Sequence, residues 1–173
     1  MNERRPEPSE HAGGLNYIAL VPELDIVRAL ESQSNEIGKM LAKVDESRAG
    51  YRYEPGKWSF TQVVGHIEDC ERVFAYRALS IARGGTNPLP GFDEKVWMEH
   101  SPFASTSLAH RAESFLLVRR TTIAMLRDLD DGAWERKGIA NEKPASVRGY
   151  AYMIVGHARH HINILRERYA IAT

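Results

Sequence analysis

Residues 146–169 read SVRGYAYMIVGHARHHINILRERY. The hydroxyl of Ser146 can accept a hydrogen bond from a backbone amide of the following turn, which predicts the N-cap of a helix that continues to about Tyr169. One face of that helix carries residues at spacings of 4, 3, 4 and 3, namely Tyr150, Ile154, His157, His161 and Ile164. Two successive positions on the face predicted to be buried are therefore histidines.

Three earlier segments show the same helical spacing, and no segment shows sustained strand alternation. The four predicted helices cover about residues 22–44, 59–83, 105–130 and 146–169. Ser59 and Gln62 form a capping box at the start of the second helix, and Gly84 follows its end. The third helix is predicted to bury Leu108, Ala112, Phe115, Val118, Thr122, Met125 and Leu129.

Four helices of this length, each about 35 Å long and with one apolar stripe, indicate an all-α four-helix bundle. The connection 84–104 contains three prolines and one short predicted turn near Asp93–Trp97. It is too long for a tight antiparallel turn, so helices two and three are expected to run parallel across a crossover. A second connection runs from Asp130 to Pro144.

Length and composition predict one domain over residues 16–173, preceded by a polar, mobile tail over 1–15. The 23 Lys+Arg balance 23 Asp+Glu, which argues against a protein that binds nucleic acid through its bulk charge. No apolar run is long enough to cross a membrane, and no secretory signal is visible. One cysteine suits a reducing compartment, so a cytoplasmic location is expected.

The histidines provide the candidate chemistry. His66 lies on the inner face of the second helix, with Val63, Cys70 and Val73 at spacings of 3, 4 and 3. Buried imidazoles must satisfy both ring nitrogens, and coordination of a metal ion satisfies several imidazoles at once. We therefore predict that His66, His157 and His161 bind a divalent metal, with at least one coordination position left for water or substrate.

Other residues near these helix faces leave alternatives open. His160 could replace His161 as a ligand, although only His161 continues the buried face. Cys70 could be a fourth ligand, but a small buried apolar residue is the commoner interpretation. His100 cannot be placed from its position in the long connection. His11 and His110 are expected to be solvated.

Charged residues beside the inner faces have two interpretations each. Asp69 and Glu71 could orient an imidazole or a bound water by accepting a hydrogen bond from it, without contacting the metal. Most carboxylates on helices are simply solvated. Arg77 and Arg119 could bind an anionic substrate near the metal. An arginine that extends to solvent at the end of a bundle is the commoner arrangement, and we favour it here.

Three parts of the chain resemble the DinB-like (DinB/YfiT) superfamily of metalloenzymes. They are KWSFTQVVGHIEDCER at 57–72, the region Arg83 to Phe92, and GHARHHINILRERY at 156–169. The resemblance extends from about Tyr17 to Tyr169, and it implies an up-down-down-up bundle with the crossover between helices two and three. It also implies a divalent metal, nickel or zinc in many members, held by His66, His157 and His161. Members include thiol S-transferases and a mycothiol-dependent isomerase, and dimers are frequent.

These observations together predict a metal-dependent enzyme in which a metal-bound water or thiol is the nucleophile. The resemblance favours a transferase that uses a low-molecular-weight thiol, with a hydrolase as the other reaction. The expected partners are a small-molecule substrate and a second copy of the chain in a homodimer, with no nucleic acid and no membrane. The alternative is a non-catalytic bundle in which the metal stabilises a binding or dimerisation module.

Overall fold

The structure is a computed structural model that describes residues 4–10 and 13–169. Within these residues the α-helices are, in chain order, α1 (Leu15–Ile18), α2 (Ile26–Ala42), α3 (Phe60–Ala82), α4 (Glu94–Glu99), α5 (Leu108–Arg127), α6 (Asp131–Glu135) and α7 (Val147–Arg168). Two strands, β1 (Lys137–Ala140) and β2 (Lys143–Ser146), form a hairpin, and three-residue 3₁₀ helices occur at Pro8–Glu10, Glu46–Arg48 and Phe103–Ser105. The long helices α2, α3, α5 and α7 form the four-helix bundle that the sequence predicts.

Buried polar contacts fix the directions of these helices. Glu68 accepts a hydrogen bond from Arg111, and Glu71 accepts hydrogen bonds from Arg119, so residue numbers increase together along α3 and α5 and the two helices are parallel. This confirms the crossover between them, which contains α4.

Contacts of the remaining helices complete the topology. Gln33 of α2 donates to the carbonyl of Val155, and Arg166 of α7 pairs with Glu36, so α2 and α7 are also parallel. Gln33 additionally accepts from Arg119. The result is the up-down-down-up arrangement, with α3 and α7 antiparallel along the seam that carries the three histidines.

Helix limits agree with the sequence where capping residues are strong. The capping box of Ser59 and Gln62 starts α3, and Ser146 caps α7 through the amide of Gly149. The other starts shift inward because different residues cap them: Asp25 caps α2 and Ser107 caps α5.

The second connection contains a short helix and a hairpin that periodicity did not reveal. Helix α5 ends at Arg127, α6 follows from the N-cap Asp130, and the β1–β2 hairpin precedes α7. Asn141 and Glu142 form the two-residue turn with φ of 50° and 61°. The strands are only four residues long, too short for alternation to be recognised in the sequence.

The hairpin also receives a residue from the crossover. The amide of Leu89 donates to Ile139, and the amide of Asn141 donates to Leu89, in a parallel bridge. The segment just after Leu89 is thereby held against the bundle. This contact places Phe92 and the start of α4 next to the α3–α7 seam.

The N-terminal segment, predicted as a mobile tail over residues 1–15, makes several contacts where it is described. Glu10 is fully buried and accepts hydrogen bonds from Arg4. The guanidinium of Arg5 donates to the carbonyls of Ile18 and Val21. The division of the chain near residue 15 stays a prediction.

The apolar core consists of two clusters with a polar layer between them. On α7 the first cluster includes Val147 to Val155 and the second begins at Ala158. His157 lies between the two clusters, at the level of His66 on α3. No helix in the described part of the chain has both the length and the apolar character needed to cross a bilayer.

Candidate metal centre

Three histidine side chains converge between α3 and α7. His66 comes from α3, and His157 and His161 occupy one face of α7 one turn apart. Their ring nitrogens include a set in which all atoms lie within 4.8 Å of one another, and no other such group occurs among the described His, Cys, Asp and Glu side chains. Nε2 of His66 and Nε2 of His157 are 3.2 Å apart.

Burial keeps these imidazoles neutral. Burial lowers the pKa of His66 to about 4. Burial, together with the nearby His66 and His160, lowers the pKa of His161 to about 3. The pKa of His157 is lowered well below its ordinary value, mainly by burial and also by His161 and His66. Neutral imidazole is the form that binds a metal ion, so the cluster is ready for coordination without losing protons.

The donor set fits a divalent transition metal. Imidazole nitrogen suits zinc, copper and nickel. Two ligand nitrogens at about 2.0–2.1 Å from a tetrahedral zinc are separated by roughly 3.3 Å, which matches the 3.2 Å between His66 and His157. Three protein ligands leave a further position for a small molecule, as in catalytic rather than structural zinc sites.

Aromatic rings surround the cluster and fix the orientation of the imidazoles. The indole of Trp58 lies 4.8 Å from His66 between ring centroids. Tyr17 and Phe74 make edge contacts with His157 at 5.1 and 5.6 Å. These rings limit the access of water from several sides, while one side remains open.

The open side leads into a cavity of about 360 Å³. It is lined by Gly13, Gly14, Tyr17, Trp58, His66, Cys70, Phe74, Arg77, Phe92, Glu94, Asn141, Met153, His157 and His161. Sequence reasoning missed Tyr17, Phe92, Glu94 and Asn141 as wall residues. They come from loops and short elements whose positions depend on tertiary contacts, such as the bridge at Leu89.

Glu94 is the carboxylate that lines this cavity. It is exposed at the start of α4, and its charge raises the pKa of His66 against the larger lowering by burial. The short turn predicted near residues 93–97 identified the element, but nothing in the sequence indicated that it faces the histidines.

Cys70 and His160 lie beside the cluster but outside it. The Sγ of Cys70 is 3.7 Å from both ring nitrogens of His66. Burial raises the pKa of this thiol above its ordinary value, which disfavours the thiolate that binds metal. His160 packs its ring against Tyr17 at 5.4 Å, and the converging group includes His161 instead.

His100 and His110 are exposed and do not belong to the histidine cluster. His100 ends α4, is exposed and contacts the carbonyl of Val96 through Nδ1. His110 is exposed on α5, as expected. The prediction that His11 is solvated lies outside the described residues.

Asp69 and Glu71, which were candidates for orienting an imidazole or a bound water, have other partners. Glu71 is buried and accepts hydrogen bonds from Arg119 at 2.8 to 3.0 Å. Asp69 lies 3.6 Å from Arg72, and burial raises its pKa. Neither contact involves an imidazole, so the structure gives no support to an orienting role.

Arg77 and Arg119 do not extend to solvent, and the favoured interpretation of both was wrong. Arg119 is fully buried in the layer between the core clusters, where Glu71, Gln33 and the carbonyl of Leu30 accept from it. Arg77 is 5% exposed and lines the cavity beside the histidines.

Comparison with known families agrees with this geometry. The model of the DinB superfamily matches residues 29–165, which is most of the chain. The chain belongs to the DinB superfamily.

Similar proteins give the superfamily match a structural context. YfiT from Bacillus subtilis, described as a probable metal-dependent hydrolase with an unusual four-helix bundle topology, superimposes with a TM-score of 0.72 at 20% identity. That superposition covers 97% of this chain and 93% of YfiT. The mycothiol-dependent maleylpyruvate isomerase superimposes with a TM-score of 0.67 at 10% identity, over 84% of this chain and 61% of the isomerase. At these identities the two similarities establish the fold of this DinB-superfamily chain.

A curated sequence relative is similar over a shorter region. The protein named "Putative metal-dependent hydrolase OB0413", from Oceanobacillus iheyensis, is 26% identical over 72 residues. The match covers 41% of this chain, and the chain spans about two fifths of the length of that relative.

Proposed function

We propose that this DinB-superfamily protein is a divalent-metal-dependent enzyme whose ion is held by His66, His157 and His161. The observation that carries this proposal is the convergence of three neutral, mostly buried imidazoles at the wall of an open cavity. A structural ion needs a closed ligand set, whereas here the cavity gives a small molecule access to the position beside the imidazoles. Imidazole ligands suit both zinc and nickel, and these are the metals that we propose.

Hydrolysis is the reaction that we place first. A divalent cation at such a site lowers the pKa of a water or thiol ligand, and thereby supplies a nucleophile at neutral pH. The names of YfiT and of the Oceanobacillus relative agree with hydrolysis. Within this chain, Glu94 is placed to accept a proton in the cavity, and Trp58 and Phe74 shield the imidazoles from bulk water.

Transfer of a low-molecular-weight thiol is the second candidate. The cavity extends well beyond the space that a water nucleophile needs, because it runs from His161 to Arg77. The fold similarity to a mycothiol-dependent isomerase is in keeping with a thiol substrate. In this reaction the thiol would give its proton to solvent and its sulfur would form a bond to an electrophilic carbon of the substrate. The bond from that carbon to the leaving group would break, and the leaving group would depart with the electron pair.

The test compares metal-free, zinc-loaded and nickel-loaded protein in two assays. One assay follows hydrolysis of a panel of p-nitrophenyl esters, and the other follows reaction of bacillithiol or mycothiol with 1-chloro-2,4-dinitrobenzene. We expect turnover in one assay that requires metal and is lost in His157→Ala but retained in His160→Ala. Stoichiometric metal with no turnover in either assay, and a melting temperature that falls on chelation, would instead indicate the non-catalytic metal-stabilised bundle. The predicted homodimer stays a prediction that gel filtration can test.

A further inference from the structure

Four arginines are buried in the described part of the chain, and one of them differs from the rest. Three pair with a carboxylate: Arg111 with Glu68, Arg119 with Glu71 and Arg148 with Glu135. Arg77 is buried to the same degree, but none of the described carboxylates lies within ion-pair distance of it. A buried charge without a counter-charge is costly, so its retention calls for an anion from outside the chain.

The surroundings of Arg77 hold its guanidinium in place without neutralising it. One terminal nitrogen donates to the carbonyl of Pro90. The guanidinium carbon lies 5.7 Å from the ring centroid of Phe92 and 6.0 Å from that of Tyr150. Rings at these distances attract a cation but supply no negative charge. Arg77 also lines the cavity that contains the three histidines.

Tyr150 adds a second unsatisfied donor at the same place. Its side chain is fully buried, and its hydroxyl proton has no acceptor among the described residues. The ring of Tyr150 is 6.0 Å from the guanidinium carbon of Arg77, and burial raises the pKa of Tyr150 whereas the charge of Arg77 and a hydrogen bond from it lower that pKa. A buried hydroxyl proton without an acceptor is unfavourable, and an oxyanion bound to Arg77 from the cavity side could also accept from Tyr150, which lies next to that arginine.

Helix geometry gives the distance of Arg77 and Tyr150 from the three histidines. Arg77 follows His66 by eleven residues, which is three helical turns plus about 20°, so both lie on one face of α3 about 16 Å apart along the axis. Tyr150 precedes His157 by two turns on the antiparallel α7. Phe74 lies between the two ends, stacked on Tyr150 at 6.0 Å and in edge contact with His157.

We propose that Arg77 and the hydroxyl of Tyr150 form a carboxylate-binding subsite, so that the substrate is an elongated small molecule with a carboxylate at one end and its reacting group at the three histidines. The position of the reacting group rests on the proposed function, whereas the subsite itself does not require the metal. A monoanionic carboxylate matches the single positive charge of Arg77. A phosphate dianion matches it less well, because the other charged wall residue apart from the histidines is Glu94, which repels anions.

The experiment measures binding of hexanoate and of its neutral isostere hexanamide by isothermal titration calorimetry, with zinc-loaded wild-type protein and variants. We expect hexanoate to bind at least about tenfold more tightly than hexanamide, since a charge-assisted hydrogen bond contributes about that factor. Arg77→Met should remove the difference, and Tyr150→Phe should reduce it. Arg127→Met is the matched control, because Arg127 is exposed and pairs with Glu31 on another face of the molecule.

The result in His157→Ala separates this inference from the proposed function. The subsite is supported if Arg77→Met weakens hexanoate binding both in the wild-type protein and in His157→Ala. This conclusion holds even if the wild-type protein binds no metal. Hexanoate binding that Arg77→Met leaves unchanged overturns the subsite, and its loss in His157→Ala would place the carboxylate on the metal. Failure of wild-type protein to prefer hexanoate also overturns it. Arg77→Gln, checked by its melting temperature, serves as a second variant should Arg77→Met fold poorly.

Discussion

The Nε2 atoms of His66 and His157 lie 3.2 Å apart, which joins α3 to α7 at the level where the two core clusters meet. In the absence of an ion, one of these nitrogens donates a hydrogen bond and the other accepts it. The same separation suits two ligands of a tetrahedral metal ion. His66 and His157 are therefore spaced as two ligands of one ion would be.

Metal stoichiometry tests the assignment of the third ligand. Wild-type protein reconstituted with zinc should contain one ion per chain, and His161→Ala should bind zinc at least about tenfold more weakly. His160→Ala is the matched control, since it removes the adjacent imidazole, which packs on Tyr17 outside the converging group. Competition with a chromophoric chelator provides the affinities. Equal losses in the two variants would contradict the assignment of His161 alone.

Metal-free protein should lose stability in mild acid because of the same imidazoles. Burial lowers the pKa of His66 to about 4, below its ordinary value of 6.5. Between these values the unfolded chain binds more protons than the folded one, so the free energy of unfolding falls as the pH decreases from about 6.5 to 4. The expected contribution of His66 is on the order of 2–3 kcal/mol. Urea unfolding at pH 7.5 and 4.5 measures it.

A variant without the His66 imidazole shows how much of the loss in the free energy of unfolding in acid comes from this residue. Carboxylates such as Glu23, whose pKa is lowered by Arg159, also lose stabilising interactions in acid. His66→Gln keeps those carboxylates and removes the titrating ring, so its stability should fall less between the two pH values. An identical fall in wild type and His66→Gln would show that burial does not shift His66 as described.

Much of the fold and the centre of the site could be predicted from the sequence, because both depend on local signals. Ser59, Gln62 and Ser146 are caps that act within one turn, and they start α3 and α7 where expected. His157 and His161 occupy one face through helical periodicity alone.

The parts that sequence reasoning missed depend on partners far away in the chain. Arg119 lies at the centre of the buried face of α5 because Glu71 and Gln33 neutralise and bind it. Its position beside an apolar stripe suggested a solvent-exposed arginine instead. Accordingly, the buried face is rotated from the predicted one, and Ala112, Val118, Met125 and Leu129 are only partly buried. Periodicity counts apolar residues and cannot recognise a buried ion pair.

The Arg119–Glu71 pair should contribute strongly to stability when one partner is removed. Arg119→Met leaves the buried Glu71 carboxylate without its counter-charge, and we expect the free energy of unfolding to fall by about 3–5 kcal/mol. The double variant Arg119→Met/Glu71→Met should recover much of that loss. Arg77→Met is a matched comparison, since it removes a buried guanidinium that leaves no carboxylate behind. Chemical denaturation measures the free energy of unfolding of the three variants. An equal loss in Arg77→Met and Arg119→Met would contradict this account.

Gly156 allows α1, which carries the cavity residue Tyr17, to pack closely against α7. A Cβ at this position would lie 2.0 Å from the backbone oxygen of Tyr17, a distance that requires α1 to move away from α7. Gly156→Ala should therefore displace the Tyr17 ring from its edge contact with His157 and reduce stability by about 1–3 kcal/mol. Gly38→Ala is the control, because its Cβ would meet Leu116 at an ordinary 3.5 Å and the helix should gain about 0.5–1 kcal/mol. Thermal unfolding of both variants, with tyrosine fluorescence as a second signal, measures the two effects. A neutral Gly156→Ala would mean that α1 does not pack closely on α7 in solution.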